Sequence, residues 1–451
     1  MNRSRLLVTN LLAVALIAAV VSGCASPAPA PAAAPAAQAE VAQATAAPAA
    51  ASAPAQAEPV EITFIEHFAA EWGLDTVNEL VTKFNDTHPN IRVKLVDSPN
   101  TELIAKLEAA ATSKSDSYDV FTALLPNISS LVKQAAVEDL DPWLEKDPEF
   151  TDSLLSITPL KLLGDTRALC FTVQPYHVLY NTEILAEKGL NPPSSWDEFV
   201  QLEQTLRNPA TGDYGISLAA SQSNYITIRL FGTYLAQQGG RYLDDEGNVA
   251  FNSPEGVAAF EFWKDFIAKD LVVPGYLSEN ETTSIGYLAS GKIATVLNGP
   301  WVVSTAKQTN PNLKLAYAPA FESKTGGMVV ACTALGMSAN SKHKEEAWEF
   351  IKYLYSEPVA VKVTEKASIP LASKAAVASM KTSEDLVLQR IPELMEKDPQ
   401  YNITYPILPN MTKCIDALKQ AFQETVTGKK DAKVALDEAA AVWQKELDAA
   451  R

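Results

Sequence analysis

Histidine and cysteine are scarce, with four of each in 451 residues. None of His67, His88, His177 and His343 falls in an HExxH pair, and no Gly-x-Ser-x-Gly nucleophile turn accompanies them. Zinc-protease and serine-hydrolase signatures are therefore missing. The cysteines form no CxxC and no Cys/His metal spacing, so no metal site is expected from them. With Cys24 assigned below, Cys170, Cys332 and Cys414 remain. At most one disulfide fits, its three pairings stay open, and buried free thiols are the simpler expectation. Positive charge is also short: 37 Lys and Arg stand against 54 Asp and Glu, a formal charge of −17. That balance argues against nucleic acid or an anionic membrane face as partner. The surplus acids read most simply as solvated helix faces. A glycoside-cleaving enzyme needs two carboxylates fixed across a sugar, and no spacing reveals such a pair. Repeats of solenoid period are absent. Only one long apolar run exists, Leu11 to Val21, shorter than the roughly 20 residues of a spanning helix.

That run belongs to a processing signal. Arg3 and Arg5 precede it, and Val21-Ser22-Gly23-Cys24 closes it in the pattern of a bacterial lipobox, where a cysteine follows small residues at the cleavage point. Residues 1–23 are read as a lipoprotein signal peptide and Cys24 as the lipidated residue. The Ala/Pro tract over 24–59 has almost no large apolar side chain and is expected to be a disordered tether. From Val60 onward the chain is long enough for two domains.

Val60 to Ile65 alternates like a strand, and a helix over 71–85 buries Leu74, Val77, Leu80, Val81 and Phe84. A second strand, Ile91 to Val96, completes a βαβ unit. A helix over 102–111 and a strand over 119–123 repeat the pattern. Ligands on such α/β sheets collect at the carboxyl ends of strands, here Glu66-His67-Phe68 and Leu124 to Asn127. Farther on, helices are expected over 225–238, from Pro254 with Ser253 as cap, and up to Gly291. Gly286 to Lys292 has the spacing of a phosphate loop, but Ile293 replaces the Ser/Thr that would hold magnesium, and the order is helix, stop, strand. It is rejected. A strand over 293–297 then runs into Asn298-Gly299-Pro300-Trp301. Trp301 thus follows a strand end and a Gly-Pro turn, where clefts form, and its indole face suits the C–H patch of a sugar ring. Thr325-Gly326-Gly327 is a flexible turn whose amides are able to approach a hydroxyl.

One stretch organises the rest. Leu179 to Phe199 reads as an extended segment, a short helix stopped at Gly189, a Pro192-Pro193 turn and a new helix opened by Ser195 and Glu198 as a capping box. The order Tyr180-Asn181, Gly189-Leu190, Pro192-Pro193 and Trp196-Asp197-Glu198-Phe199 resembles the sugar-binding components of bacterial ABC importers, the maltose-binding-protein-like family. The resemblance implies an α/β, two-lobed periplasmic-binding-protein-like fold of type II, with a ligand cleft between lobes joined by hinge segments. Lobe one would comprise 60–174 plus 320–356, and lobe two 175–319 plus 357–451. Crossovers would fall near Gln174 to Val178, Pro319 to Phe321 and Ser356 to Val359.

The resemblance further implies a carbohydrate, mono- or oligosaccharide, delivered to ABC permease membrane subunits by a monomer. That monomer is lipid-anchored on the cell surface or the periplasmic side, without enzymatic activity, cofactor, metal or nucleic acid. It implies stacking by Trp301, a ligand-facing aromatic at Tyr225 beside Asn224, and polar contacts around Gln174, Tyr176 and His177, with Tyr176 and His177 equally readable as hinge packing. Glu66, His67, Gly326 and Gly327 complete the expected contacts. Two departures remove maltose in particular: Cys414-Ile415 stands where maltose binders carry an aromatic platform, and Glu66-His67-Phe68 lacks their acid-basic pair. Other solutes remain as alternatives, namely a polyol, glycerol phosphate or a polyamine. A secreted glycoside-active enzyme using Glu66 or another cleft acid is the rival of a different class.

Overall fold

The computed structural model describes residues 58–449 except 163, 221–223, 405, 407 and 409. Cys24, the signal segment and the tether up to residue 57 lie outside the described residues. Two sheets carry the architecture. The larger has six strands in the order β2-β1-β3-β9-β5-β4: β1 Val60–Glu66, β2 Ile91–Asp97, β3 Val120–Leu124, β4 Pro159–Leu162, β5 Asp165–Pro175 and β9 Val330–Met337. The smaller is β7-β6-β8, built from β6 His177–Asn181, β7 Thr295–Asn298 and β8 Leu315–Tyr317.

β1 pairs in parallel with both β2 and β3, as the βαβ pattern dictates. The connecting helix is split where one helix was expected over 71–85: Ala69–Trp72 is followed by Leu74–Thr87. The break is Gly73, at φ +81°, a backbone state that only glycine adopts without strain. Thr76, Val77, Leu80, Val81 and Phe84 are buried on the longer helix, whereas Leu74, assigned to the core face, is exposed. Helix Asn100–Ser113 leads to β3. β9 returns from the far end of the chain and lies antiparallel between β3 and β5.

The chain passes from β5 directly into β6 through Tyr176. It comes back from β8 to β9 through 318–329, so the extended run expected over 315–321 is a strand only to Tyr317. His177 sits where these two passages meet: its Nε2 lies 2.9 Å from the Pro319 carbonyl, and its ring packs edge-on to Phe321. Helix Lys344–Tyr355 packs under the larger sheet. Beyond Ser356 the chain stays beside that sheet for a while: Val173 donates to the Pro370 carbonyl and Ala372 to the Phe171 carbonyl, each at 2.9 Å. Helix Leu386–Glu396 then packs on β8.

Local rules hold around the smaller sheet. Ser195 Oγ accepts from the Glu198 amide at 3.1 Å, but the Glu198 carboxylate reaches back to the Ser194 amide at 2.8 Å, one residue earlier than a capping box requires. Ser253 caps helix Pro254–Ala268, and Gly291, at φ +75°, follows helix Glu281–Ala289 as its stop. The core there is aromatic, with Trp263 and Trp443 fully buried and their indole nitrogens bonded to the Leu230 and Cys414 carbonyls. Among the described residues no helix is long and apolar enough to cross a membrane.

Candidate ligand-binding site

Two groups of side chains come together near the passage from β5 to β6. The first stands at the carboxyl end of β1. Glu66 is buried, and its Oε2 accepts from the Phe68 amide. His67 is buried, and its Nδ1 lies 2.8 Å from Thr122 Oγ1 on β3. Burial pushes the His67 ring down to about 4, so it is neutral at pH 7. Phe68 is sandwiched between the His67 ring at 4.7 Å and the Trp72 ring at 4.2 Å. The buried His67 Nε2 and Trp72 Nε1 carry no hydrogen-bond partner within the protein.

The second group belongs to the smaller sheet and its helices. β7 ends at Asn298, and helix Trp301–Thr309 begins after the Gly299-Pro300 turn. Trp301 is half-buried, with its benzo edge against Gly299: a Cβ there would sit 1.8 Å from the ring. Only glycine permits that approach. The Trp301 Nε1 donates to Glu281 Oε1 at 3.2 Å. Arg229, on helix Asn224–Gln237, lies over the Trp301 ring at 4.7 Å and the Tyr176 ring at 4.9 Å. Its guanidinium bonds Glu281 at 2.5 Å and Asn298 Oδ1 at 2.9 Å. Asn298 closes the ring of contacts by donating from Nδ2 to Glu281 at 2.9 Å. Burial by itself would raise the Glu281 carboxyl. The Arg229 charge, with hydrogen bonds from Asn298, Arg229 and Trp301, outweighs that and holds it below the usual range.

The two groups belong to one locale, because helix Ala69–Trp72 lies against helix Trp301–Thr309. Tyr176 bridges them by chain position, its ring edge-on to Trp301 at 5.5 Å and its carbonyl accepting from Thr233. Gln174 is buried near the end of β5. Asn224 and Tyr225 open their helix, but their side chains lie outside the described residues. The Gly326 and Gly327 amides are engaged internally, donating to Asp398 Oδ2 at 2.6 Å and to Thr325 Oγ1 at 3.2 Å. Cys414 and Ile415, at the place of the missing aromatic platform, are core residues.

Arg229, Glu281 and Trp72 were not expected from the sequence. Glu281 reads there as a first-turn acid complementing a helix dipole. Arg229 gives a weak signal, a lone charge next to Ile228, Leu230 and Phe231. Chemically, the site offers indole and phenol rings, a carboxylate acceptor and ring nitrogens, while Arg229 and Glu281 neutralise each other. Among the described residues no group of three or more His, Cys, Asp or Glu is placed to hold a metal ion.

Comparison with known proteins follows the same lines. The profile of the family described as bacterial extracellular solute-binding protein matches residues 79–389. The galactooligosaccharide-binding protein of Bacillus subtilis is 23% identical over 372 residues, covering 81% of this chain and 85% of the relative. An ABC transporter solute-binding protein of Thermotoga lettingae, solved with alpha-D-tagatose, superposes with a TM-score of 0.73 at 23% identity, over 86% of this chain and all of the other. The GacH receptor of Streptomyces glaucescens, solved unliganded and with acarbose, gives 0.71 at 22% identity over 86% and 99%. The chain shares their two-lobed fold.

Proposed function

Because this chain belongs to the bacterial extracellular solute-binding proteins, we propose that it captures a carbohydrate between its lobes and hands it to an ABC permease. The observation that carries this reading is the aromatic and polar cluster of Trp301, Tyr176, Arg229, Glu281 and Asn298 beside Phe68 and Trp72, at the strand ends between the two sheets. Ring faces meet the apolar faces of a pyranose, and fixed acceptors and donors meet its hydroxyls. The proposed contacts are Trp301, Tyr176, Gln174, Glu66 and His67, with Asn224 and Tyr225 at the helix start. Gly326 and Gly327 contribute by letting the 325–327 turn pack closely, since a Cβ on Gly327 would meet the Tyr401 carbonyl at 2.4 Å.

The ion pair bears on the alternatives. Arg229 and Glu281 cancel within the cluster, which favours a neutral sugar or polyol over glycerol phosphate or a polyamine. A glycosidase needs an acid with a raised pKa facing a second carboxylate, whereas Glu281 is held low. Binding without reaction is therefore the reading adopted. Lobe one is assigned 60–174 and 320–356, and lobe two 175–319 and 357–451, with the part around Pro370 to Ser373 strapped to the first sheet. The protein is taken to be a monomer tethered through lipid on Cys24. Mass spectrometry of membrane-extracted protein should show diacylglycerol on that cysteine, and an unmodified secreted chain would remove the anchor.

A thermal-shift panel of mono- and oligosaccharides, polyols, glycerol phosphate and polyamines tests the function. A ligand at a hundredfold excess over its Kd stabilises by about 2.7 kcal/mol. Shifts confined to saccharides are expected; shifts only with phosphate or polyamine overturn the reading. Product formation on a glycan panel would point to the enzyme instead.

A further inference from the structure

Cys170 lies on β5 and Cys332 on β9, neighbouring antiparallel strands of the larger sheet. Cys170 stands opposite Ala334, and Cys332 is two residues from Ala334 along β9. Opposite residues, and residues two apart, point to the same face of a sheet. The two thiols therefore share a face, as diagonal neighbours across the strand pair. Cys170 donates its S–H to the Thr172 carbonyl at 3.3 Å. A shift of register between Cys170 and Thr172 bends the strand at this point. Both cysteines are buried free thiols in the structure, as is Cys414 on helix Met411–Val426.

We propose that Cys170 and Cys332 form a dithiol–disulfide pair, a redox modification site that closes when the chain folds outside the cytoplasm. The site rests on strand geometry and on the extracellular family, and stands or falls independently of the carbohydrate reading. The co-reactant is a disulfide, protein-borne or of low molecular weight. One cysteine thiolate attacks it, forming a mixed disulfide and releasing one thiol. The second thiolate then attacks the mixed disulfide, making the Cys170–Cys332 S–S bond and releasing the other thiol. The pair loses two protons and two electrons, and the oxidant gains both. Burial holds the Cys170 thiol well above its ordinary value, so the exchange belongs to the folding chain and not to the closed sheet. The bond would join the strand that leads into Tyr176 to the strand that receives 318–329. Both passages between the lobes would then start from one cross-linked root.

The test uses the full chain carrying Cys24→Ser, refolded with reduced and oxidised glutathione, then alkylated under denaturing conditions and mapped by mass spectrometry. Cys414 alone should be alkylated, and the Cys170 and Cys332 peptides should be recovered as one linked pair that dithiothreitol releases. Cys414→Ser should leave the link intact, and Cys332→Ser should leave Cys170 alkylated. Alkylation of all three cysteines without reductant overturns the proposal, as does a link that includes Cys414.

Discussion

Glu281 Oε1 accepts from Arg229, Asn298 and Trp301 at once, and that one oxygen explains why a half-buried carboxylate stays ionised. Arg229→Met removes the counter-charge and leaves the acid uncompensated, an error that costs about 3–5 kcal/mol when an ion pair is broken on one side only. Urea unfolding at pH 7 should show a loss of that size, and the double variant Arg229→Met with Glu281→Leu should recover most of it. A single variant as stable as the parent would mean that the pair does not organise the site. The sign with pH follows from the lowered Glu281 carboxyl. Its contribution is present above the ordinary carboxylate range and is lost as pH falls through the lowered value. The Arg229–Glu281 pair was not legible in the sequence, because its residues lie on two helices that only the fold brings together. Trp301 was legible, because a strand end, a Gly-Pro turn and an indole are adjacent in the chain.

Among the elements, the two passages between sheets are the most exposed to titration. His177 joins them, and burial pushes it down to about 4 against an ordinary 6.5, as it does His67 at the end of β1. At these two histidines the unfolded chain thus binds up to two more protons than the native chain between these values, while buried Glu203, raised to about 8, holds one more in the native chain and offsets part of this. The histidine contribution should be fully present above about pH 6.5 and should be lost toward pH 4, by about 3 kcal/mol for each histidine. Denaturant unfolding across that range checks it, and His177→Asn should flatten the slope relative to the parent by about one proton's worth. An unchanged slope in that variant would place the proton uptake elsewhere. Periodicity marked the β1–helix–β2 unit and the helix from Pro254, since apolar spacing is a local property. It missed the break at Gly73, which depends on a backbone angle, and the fate of the segment after Ser356. That segment's hydrogen bonds to β5 join residues about two hundred positions apart.

At the scale of the molecule, the described residues form two sheets joined by two short passages, the last segments lying along both. Such a joint suits hinge closure, in which ligand contacts from both lobes favour the closed form. Small-angle scattering should show a smaller radius of gyration once the best ligand of the panel saturates the protein; an unchanged radius would remove closure from the account. The central claim, a sugar held by Trp301 in the cleft, is tested most directly by titration calorimetry of that saccharide against the parent protein and Trp301→Ala. The account predicts binding by the parent, and a loss of about 1–3 kcal/mol in the variant. The variant's stability should fall by less than the roughly 3–5 kcal/mol typical of a deleted core aromatic. Equal affinity in the two proteins, with a large stability loss in the variant, would contradict it and make Trp301 a core residue.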